Sequence, residues 1–360
     1  MKKLIFRSIL FFSPLLLALS LELFVLPIDF FAFRVWEGLL IRSYRWILPG
    51  RFYPCREITK MEMGGDLTRQ GPFATRREVT WMTDQYGYRK KNSGARHYKV
   101  VIVGDSNIVG TGLSQEETLS EVLETRLNSG VYPMAPVDIN TFLKDRRFMK
   151  DPPEVVVVST IERDICDLPY PKLRRERWPT FSNWKDRLQK TGWVPAIAVF
   201  LDRLSKMNMI NYLRAKIGNT KHRQFYSFST PFGTMYFLQG DAANENVSRD
   251  RFERAVQTIE AYDRILKKKG IRFIFLPIPN KENIYYQHLP NRKRPVFLEE
   301  LIAELKHKKI ETVDTQEAFD KRYQKDSALL YRLDDTHWNP ATVRMTADLI
   351  QMSITSLSKE

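Results

Sequence analysis

The sequence predicts an α/β chain: a mostly parallel central sheet in a three-layer sandwich, preceded by one N-terminal membrane helix. Three observations carry this. Short apolar, β-branched runs (Tyr98–Val103, Glu154–Ser159, Ile271–Pro277, Ile310–Val313) alternate with stretches of helical period, the pattern of strands joined by crossover helices. The Glu154–Ser159 run is nearly continuous in apolar character, as expected of a strand covered on both faces. The first thirty residues open with Lys2, Lys3 and Arg7 and then lose charge over Ser8–Leu21, which is the layout of a segment entering a bilayer.

Residues 1–30 are therefore expected to form a signal-anchor helix, with hydrophobicity resuming over Leu23–Ile28 after Glu22. Glu22 is expected to sit at the outer headgroups or to stay protonated. Ala18-Leu19-Ser20 is a poor cleavage site, so an uncleaved anchor is preferred, with a cleaved signal as the alternative. Basic residues ahead of the span place the remaining chain outside the cytoplasm, in the periplasm, on a single pass through the inner membrane. Arg34, Arg42, Arg45 and Arg51 put positive charge on the other side too.

Residues 31–97 read as a membrane-proximal lead-in. Within 28–50, Trp36, Leu39, Leu40, Tyr44 and Ile47 recur at near-helical spacing; an interfacial helix and a segment packed on the domain are both compatible with this. Residues 51–97 carry Gly64-Gly65-Asp66 and Gly71-Pro72 and suggest short strands separated by turns. The main domain is expected over 98–357. After the first strand comes a helix, Ser114–Leu127, with Ser114 as N-cap and Glu117 at the capping-box position. Val131-Tyr132 begins a second strand, and Asp138–Phe148 reads as helical. Phe252–Lys269 is an amphipathic helix stopped by Gly270. Helices are expected at Phe297–Lys306 and Ala341–Ser356. Alternation fails over about 168–248, an insertion with basic Leu173–Arg177, tryptophans at 178, 184 and 193, a helical Ala196–Ile217 and an aromatic, β-like Phe225–Leu238. It reads as a lid or acceptor platform, or as an added packing layer.

Net charge is +15, an attractive field for anions such as acidic polysaccharide or lipid headgroups. The basic residues are scattered and form no recognised nucleic-acid module, so nucleic acid is not an expected partner. Two cysteines, Cys55 and Cys166, do not make a disulfide framework. Five histidines lie far apart, and no metal or other cofactor is implied.

The chemistry lies at the two ends of the α/β region. Gly104-Asp105-Ser106-Asn107 follows the first strand, and Asp334-Asp335-Thr336-His337-Trp338-Asn339 comes late. A serine at the carboxyl end of a central strand stands where ligands of open α/β sheets bind. Its hydroxyl needs a base to take the proton and a carboxylate to orient that base. Ser106 is the candidate nucleophile and His337 the base; Asp105 is expected to hydrogen-bond the turn.

Val100–Asn107 with Gly110 and Gly112, together with Asp-Thr-His-Trp-Asn at 335–339, resembles the SGNH (GDSL-like) hydrolase superfamily. Thr83–Arg89 is similar to the "D-x-x-G-[FY]-R" lead-in of extracytoplasmic alginate O-acetyltransferase-like proteins, and Pro277–Lys281 with Tyr285 to their "P-x-P-x-K-x-x-x-Y" strand end. The resemblance covers about residues 80–357 and implies an SGNH-like sandwich. It further implies an O-acetyltransferase or carbohydrate esterase acting on acyl esters of cell-envelope or exported polysaccharide, with a multi-pass membrane acyl donor as partner in the transferase case. Asp335 has the offset of the Asp-x-His-Trp proteins and is preferred as orienter of His337; Asp334 has the offset of ordinary SGNH esterases and is kept. The Gly-x-Asn-Asp block of the superfamily is replaced by Ile161-Glu162-Arg163-Asp164. Oxyanion donors are therefore sought at the Ser106 backbone, the Asn107 side chain and the Met134-Ala135 backbone. Arg163 can add a cation, and Lys281 can hold an acidic sugar. A catalytically silent, glycan-binding scaffold is the alternative reading, motivated by the missing asparagine.

Overall fold

In a computed structural model, residues 2–43, 48–68, 74–91, 97–172, 193–217, 225–238, 247–290 and 292–356 are described. Expectations for Tyr44, Arg45, Ile47, Gly71-Pro72, the basic run Leu173–Arg177 and the Trp178–Trp184 stretch fall outside these residues. Helix α1 (Lys2–Ser20) runs on through a wider π-helical turn at Leu21–Val25. Phe6–Val25 is long and apolar enough to cross a membrane, and Phe6, Phe11, Leu17 and Phe24 remain exposed on it. Glu22 turns inward, and its carboxylate accepts the backbone N–H groups of Asn208 (2.7 Å) and Met209 (3.2 Å).

The lead-in packs on the domain. Val35, Leu39, Ile41, Leu48 and Phe52 are buried in one cluster with Val100, Ile102 and Trp338, so the packed alternative holds over the described part of 28–50. The short strands expected next are β1 (Glu57–Met63) and β2 (Arg76–Met82), an antiparallel pair.

The central sheet contains β3 (Val100–Val103), β4 (Val131–Met134), β5 (Val155–Ile161) and, after the β6 (Phe225–Thr230) and β7 (Gly233–Leu238) hairpin, β8 (Arg272–Ile278). Its order is β4-β3-β5-β8, and every pair is parallel. Thr312 extends it by a single parallel bridge to Phe275, where a full strand was expected. Alternate side chains feed two separate cores, as the two-residue strand period requires. Val100, Ile102, Val155 and Val157 meet α2 (Leu119–Leu127), α7 (Thr315–Asp326) and α8 (Pro340–Ser356). Val101, Val103, Val156 and Val158 meet α5 (Arg249–Lys267) and α6 (Phe297–His307). This is the expected three-layer sandwich.

Local chemistry moved several helix boundaries. Ser114 and Glu117 form the capping box on a 3-10 turn, and the extended Thr118 (ψ 149°) separates that turn from α2. Asp138 and Asp145 each cap a short helix, giving Ile139–Phe142 and Arg146–Lys150 instead of one. The insertion helix is broken at Met207, whose φ is +43°, into α3 (Trp193–Lys206) and α4 (Asn208–Ile217).

Candidate active site

The nucleophile turn begins where β3 ends. A Cβ on Gly104 would lie 2.5 Å from Ile108 Cγ1 and 3.1 Å from the Ser159 carbonyl oxygen, so glycine lets the turn pack closely against Ile108 and β5. The Asp105 carboxylate accepts N–H from Asn107 (2.8 Å) and from Ile161 (2.8 Å). It thereby ties the turn to the end of β5, the structural role expected of it. Ser106 then opens a single helical turn, Ser106–Val109.

The histidine loop is fixed by its own neighbours. Trp338 is fully buried in the core, and its backbone bridges to Tyr331. Asn339 accepts the Thr342 N–H at 3.0 Å, which makes it the N-cap of α8, with Pro340 in the first helical position. His337 is left facing Ser106: Nε2 to Ser106 Oγ is 2.8 Å, and Nδ1 to Asp335 Oδ1 is 2.6 Å. With the ring proton on Nδ1, held by Asp335, Nε2 is free to accept from the serine hydroxyl. Two groups separated by 231 residues thus meet in proton-transfer geometry.

Asp334 points elsewhere. It accepts N–H from Gly65 (2.9 Å) and Thr75 (3.0 Å) and an Arg77 guanidinium N–H (3.2 Å). It anchors the loop, and Asp335 orients the imidazole. Burial opposes charge on both members of the pair. Even so, the His337 charge and hydrogen bond hold Asp335 well below the usual carboxylate range. In the same way Asp335 lifts His337 above its ordinary value against burial.

The remaining expected residues fall differently. Asn107 Nδ2 donates to Asp105 at 3.2 Å, so its amide stabilises the turn. Ala135 is buried at the end of β4, and backbone bonds from Gly104 to Met134 and from Val137 to Gly104 hold its segment against the nucleophile turn. Arg163 lies half-buried in the turn 162–167 after β5, close enough for its charge to act on Tyr331. Glu162 is buried and accepts the Asn280 N–H at 3.2 Å. Lys281 needs correction as a sugar-binding residue. It is 2 % exposed, and its ammonium is spent on the carbonyls of Tyr236 (2.8 Å), Arg332 (2.6 Å), Leu333 (3.0 Å) and Asp335 (3.1 Å). It clamps the histidine loop, and burial pulls its ammonium down to about 8.

Sequence reasoning missed what the lead-in contributes. Arg89 is buried and donates to the carbonyls of Val109 (3.1 Å), Gly110 (2.5 Å), Leu113 (2.6 Å) and Thr80 (3.1 Å), which staples the far side of the nucleophile turn. Burial pushes its guanidinium down to about 9. Asp84 closes the preceding turn by accepting the Tyr86 and Tyr88 N–H groups, both at 2.9 Å. Gly87, at φ +80°, packs where a Cβ would lie 2.3 Å from the Phe52 carbonyl oxygen. The recognised D-x-x-G-Y-R pattern was the available signal for this. Asp66 had no such signal. It accepts the Thr336 N–H (2.8 Å) and hydroxyl (2.6 Å), immediately behind the triad.

Asp66, Asp335 and His337 place ligand-type atoms within 4.8 Å of one another, a grouping able in principle to hold a metal among the described residues. Both imidazole nitrogens are already engaged, one by Asp335 and one by Ser106, so the donor set reads as a proton relay. Cys55 and Cys166 are both free thiols.

A family model described as the SGNH hydrolase-like domain of the acetyltransferase AlgX matches residues 235–359. The match takes in Asp335 and His337 and stops short of Ser106. No curated protein matches the chain. Among solved structures, an acetyl xylan esterase, AlAXEase, is 13% identical, covers 71% of this chain and 98% of its own, and has a TM-score of 0.37. A lipase/acylhydrolase from Enterococcus faecalis is 11% identical over 71% of this chain and 95% of its own, at TM-score 0.34. A GDSL-like lipase from Bacteroides thetaiotaomicron is 12% identical over 72% and 88%, at 0.32. At these identities and scores they carry nothing about this chain's activity. The family match agrees with the SGNH resemblance read from the sequence, and with an SGNH-type acyltransferase or esterase as the enzyme class.

Proposed function

We propose that the chain is a membrane-anchored, extracytoplasmic serine enzyme that transfers or removes O-acetyl groups on cell-envelope or exported polysaccharide. The observation that carries this is the unbroken line Ser106–His337–Asp335, at 2.8 and 2.6 Å. His337 takes the Ser106 proton as Oγ attacks the ester carbonyl. The tetrahedral oxyanion is met by N–H donors, of which the Ser106 backbone and the Ala135 segment are the candidates. His337 then returns the proton to the leaving alkoxide, and the acetyl group stays on Ser106. In the second half, His337 deprotonates a sugar hydroxyl or water, which takes the acetyl group. Transfer and hydrolysis differ only in that acceptor. With a sugar acceptor, a multi-pass membrane protein would supply the acyl group. The membrane reading is supported by the exposed apolar surface of Phe6–Val25.

The test uses the full-length chain in detergent with p-nitrophenyl acetate. A burst of nitrophenol and a mass gain of one acetyl, both absent in Ser106→Ala, are expected. With no Ser106-dependent acyl-enzyme, the chain is a silent glycan-binding scaffold. Addition of oligosaccharide acceptors separates the two enzymes, and acetyl found only as free acetate rejects transfer. Retention in the membrane after alkaline carbonate washing checks the anchor.

A further inference from the structure

We infer that Asp66 is a fourth member of the proton relay: a neutral carboxylic acid that donates a hydrogen bond to Asp335 and fixes the carboxylate that orients His337. This deepens the serine-enzyme reading and rests on it. The geometry fixes both oxygens of Asp66. One accepts the Thr336 N–H at 2.8 Å and the other meets the Thr336 hydroxyl at 2.6 Å, so the carboxyl cannot rotate away. A carboxyl oxygen of Asp66 lies within 4.8 Å of the carboxylate of Asp335 and of a ring nitrogen of His337. Two carboxyl groups this close oppose each other's ionisation, which favours one proton held between them. Asp335 faces the imidazole at 2.6 Å and Arg77 at 3.7 Å, both of which favour its anion. The proton therefore belongs to Asp66. Burial, and then the Asp335 charge, raise the Asp66 carboxyl above its usual range, in agreement.

The titratable groups facing Asp66 come from three directions: Asp335 and His337 on the histidine loop, Arg34 on the lead-in, and Lys281 at the end of β8. Gly65 makes the contact possible. A Cβ there would lie 2.2 Å from the Asp334 carbonyl oxygen and 2.6 Å from Asp335 Cβ. The lead-in turn thus completes a site whose nucleophile and base lie elsewhere in the chain. Asp66 touches no substrate atom, and it is a positioning residue.

Asparagine mimics a neutral aspartic acid: its carbonyl accepts the Thr336 N–H and its amide donates to Asp335. The test compares Asp66→Ala with Asp66→Asn in the full-length chain on p-nitrophenyl acetate. Alanine is expected to lower kcat on the order of ten-fold or more with little change in KM, the effect of losing one hydrogen bond to a charged group. Asparagine should restore most of that loss. The acid limb of kcat/KM reports the base. It should stay where the wild-type limb lies in Asp66→Asn, because one neutral group replaces another. An acid limb displaced downward in Asp66→Asn by half a unit or more means that Asp66 is ionised and overturns the inference. So does an alanine variant with wild-type kcat, or an asparagine variant as slow as alanine. If alanine does not fold, the asparagine limb decides alone. If the wild type turns over no ester, the same comparison is read from the NMR titration of the His337 ring, assigned with His337→Gln. The relay is thereby tested apart from catalysis.

Discussion

Asp334 and Asp335 are adjacent in sequence, yet they do different work, and substitution should separate them. Asp335→Asn preserves shape but offers His337 Nδ1 an amide where it now has a carboxylate at 2.6 Å. The imidazole loses its tautomer and the partner of its positive form, and kcat should fall roughly 10³–10⁴-fold. Asp334→Asn leaves that contact alone and removes the charge facing Arg77 at 3.2 Å. Arg77 keeps the Asp335 carboxylate at 3.7 Å, so the cost should fall below the about 3–5 kcal/mol of a buried charge left wholly unpaired, to be seen as a lower denaturant midpoint, while the enzyme that remains folded keeps its pH profile. The sign of that profile follows from His337. Only the neutral imidazole accepts the serine proton. Burial, the largest single influence, lowers its affinity for a proton, but the Asp335 charge and hydrogen bond, with the smaller Asp66 charge, together raise it. Activity should therefore rise with pH along a limb centred above the ordinary imidazole value of about 6.5, and Asp335→Asn should move that limb down. A wild-type limb at or below the ordinary value would contradict the electrostatics.

At the scale of elements, the turn that follows β1 is the most exacting fit in the site. Gly65→Ala puts a carbon 2.2 Å from the Asp334 carbonyl oxygen, and backbone must shift to admit it. The expected cost in stability is about 1–3 kcal/mol. The larger effect should be on kcat, lowered on the order of 100-fold because Asp335 is displaced from its working position. Denaturant melts and turnover on one preparation check this; lost stability with unchanged kcat would make the turn mere packing. The same turn shows where the sequence was readable. Ser106 and His337 were legible because each belongs to a local pattern, a serine at a buried strand end and an Asp-x-His-Trp before a helix cap. Asp66 was not, because its contacts with Thr336 span 270 positions, and Gly-Gly-Asp alone describes any turn. Lys281 was misread for a related reason. Its residue type favours water, and only the folded chain supplies the four carbonyls that bury it.

At the scale of the molecule, the insertion does two jobs with its two described parts. The β6–β7 hairpin braces the catalytic loop, through the Tyr236 N–H on the Leu333 carbonyl at 2.9 Å. Helices α3 and α4 brace the end of the apolar N-terminal helix and the lead-in behind it. Asp202 on α3 accepts the backbone N–H groups of Arg42 (2.9 Å) and Ser43 (2.6 Å) and the Tyr53 hydroxyl (2.7 Å). Arg203 donates to the Glu22 carbonyl at 2.7 Å. The described part of α3 is thus stapled down on its inner face and is no free lid. Glu22, the one acid interrupting the apolar segment, becomes intelligible as the cap that starts α4 after the break at Met207. A carboxylate on the first N–H groups of a helix is worth about 1 kcal/mol. Glu22→Ala should therefore speed amide hydrogen exchange over residues 208–213 several-fold, with the chain held in lipid nanodiscs. Turnover should be unaffected, since no contact of Glu22 reaches the histidine loop directly. Unchanged exchange across Asn208 and Met209 would show that the apolar N-terminal helix and the insertion are not joined through this carboxylate, leaving Arg203 and the Phe24–Phe200 contact to position its end.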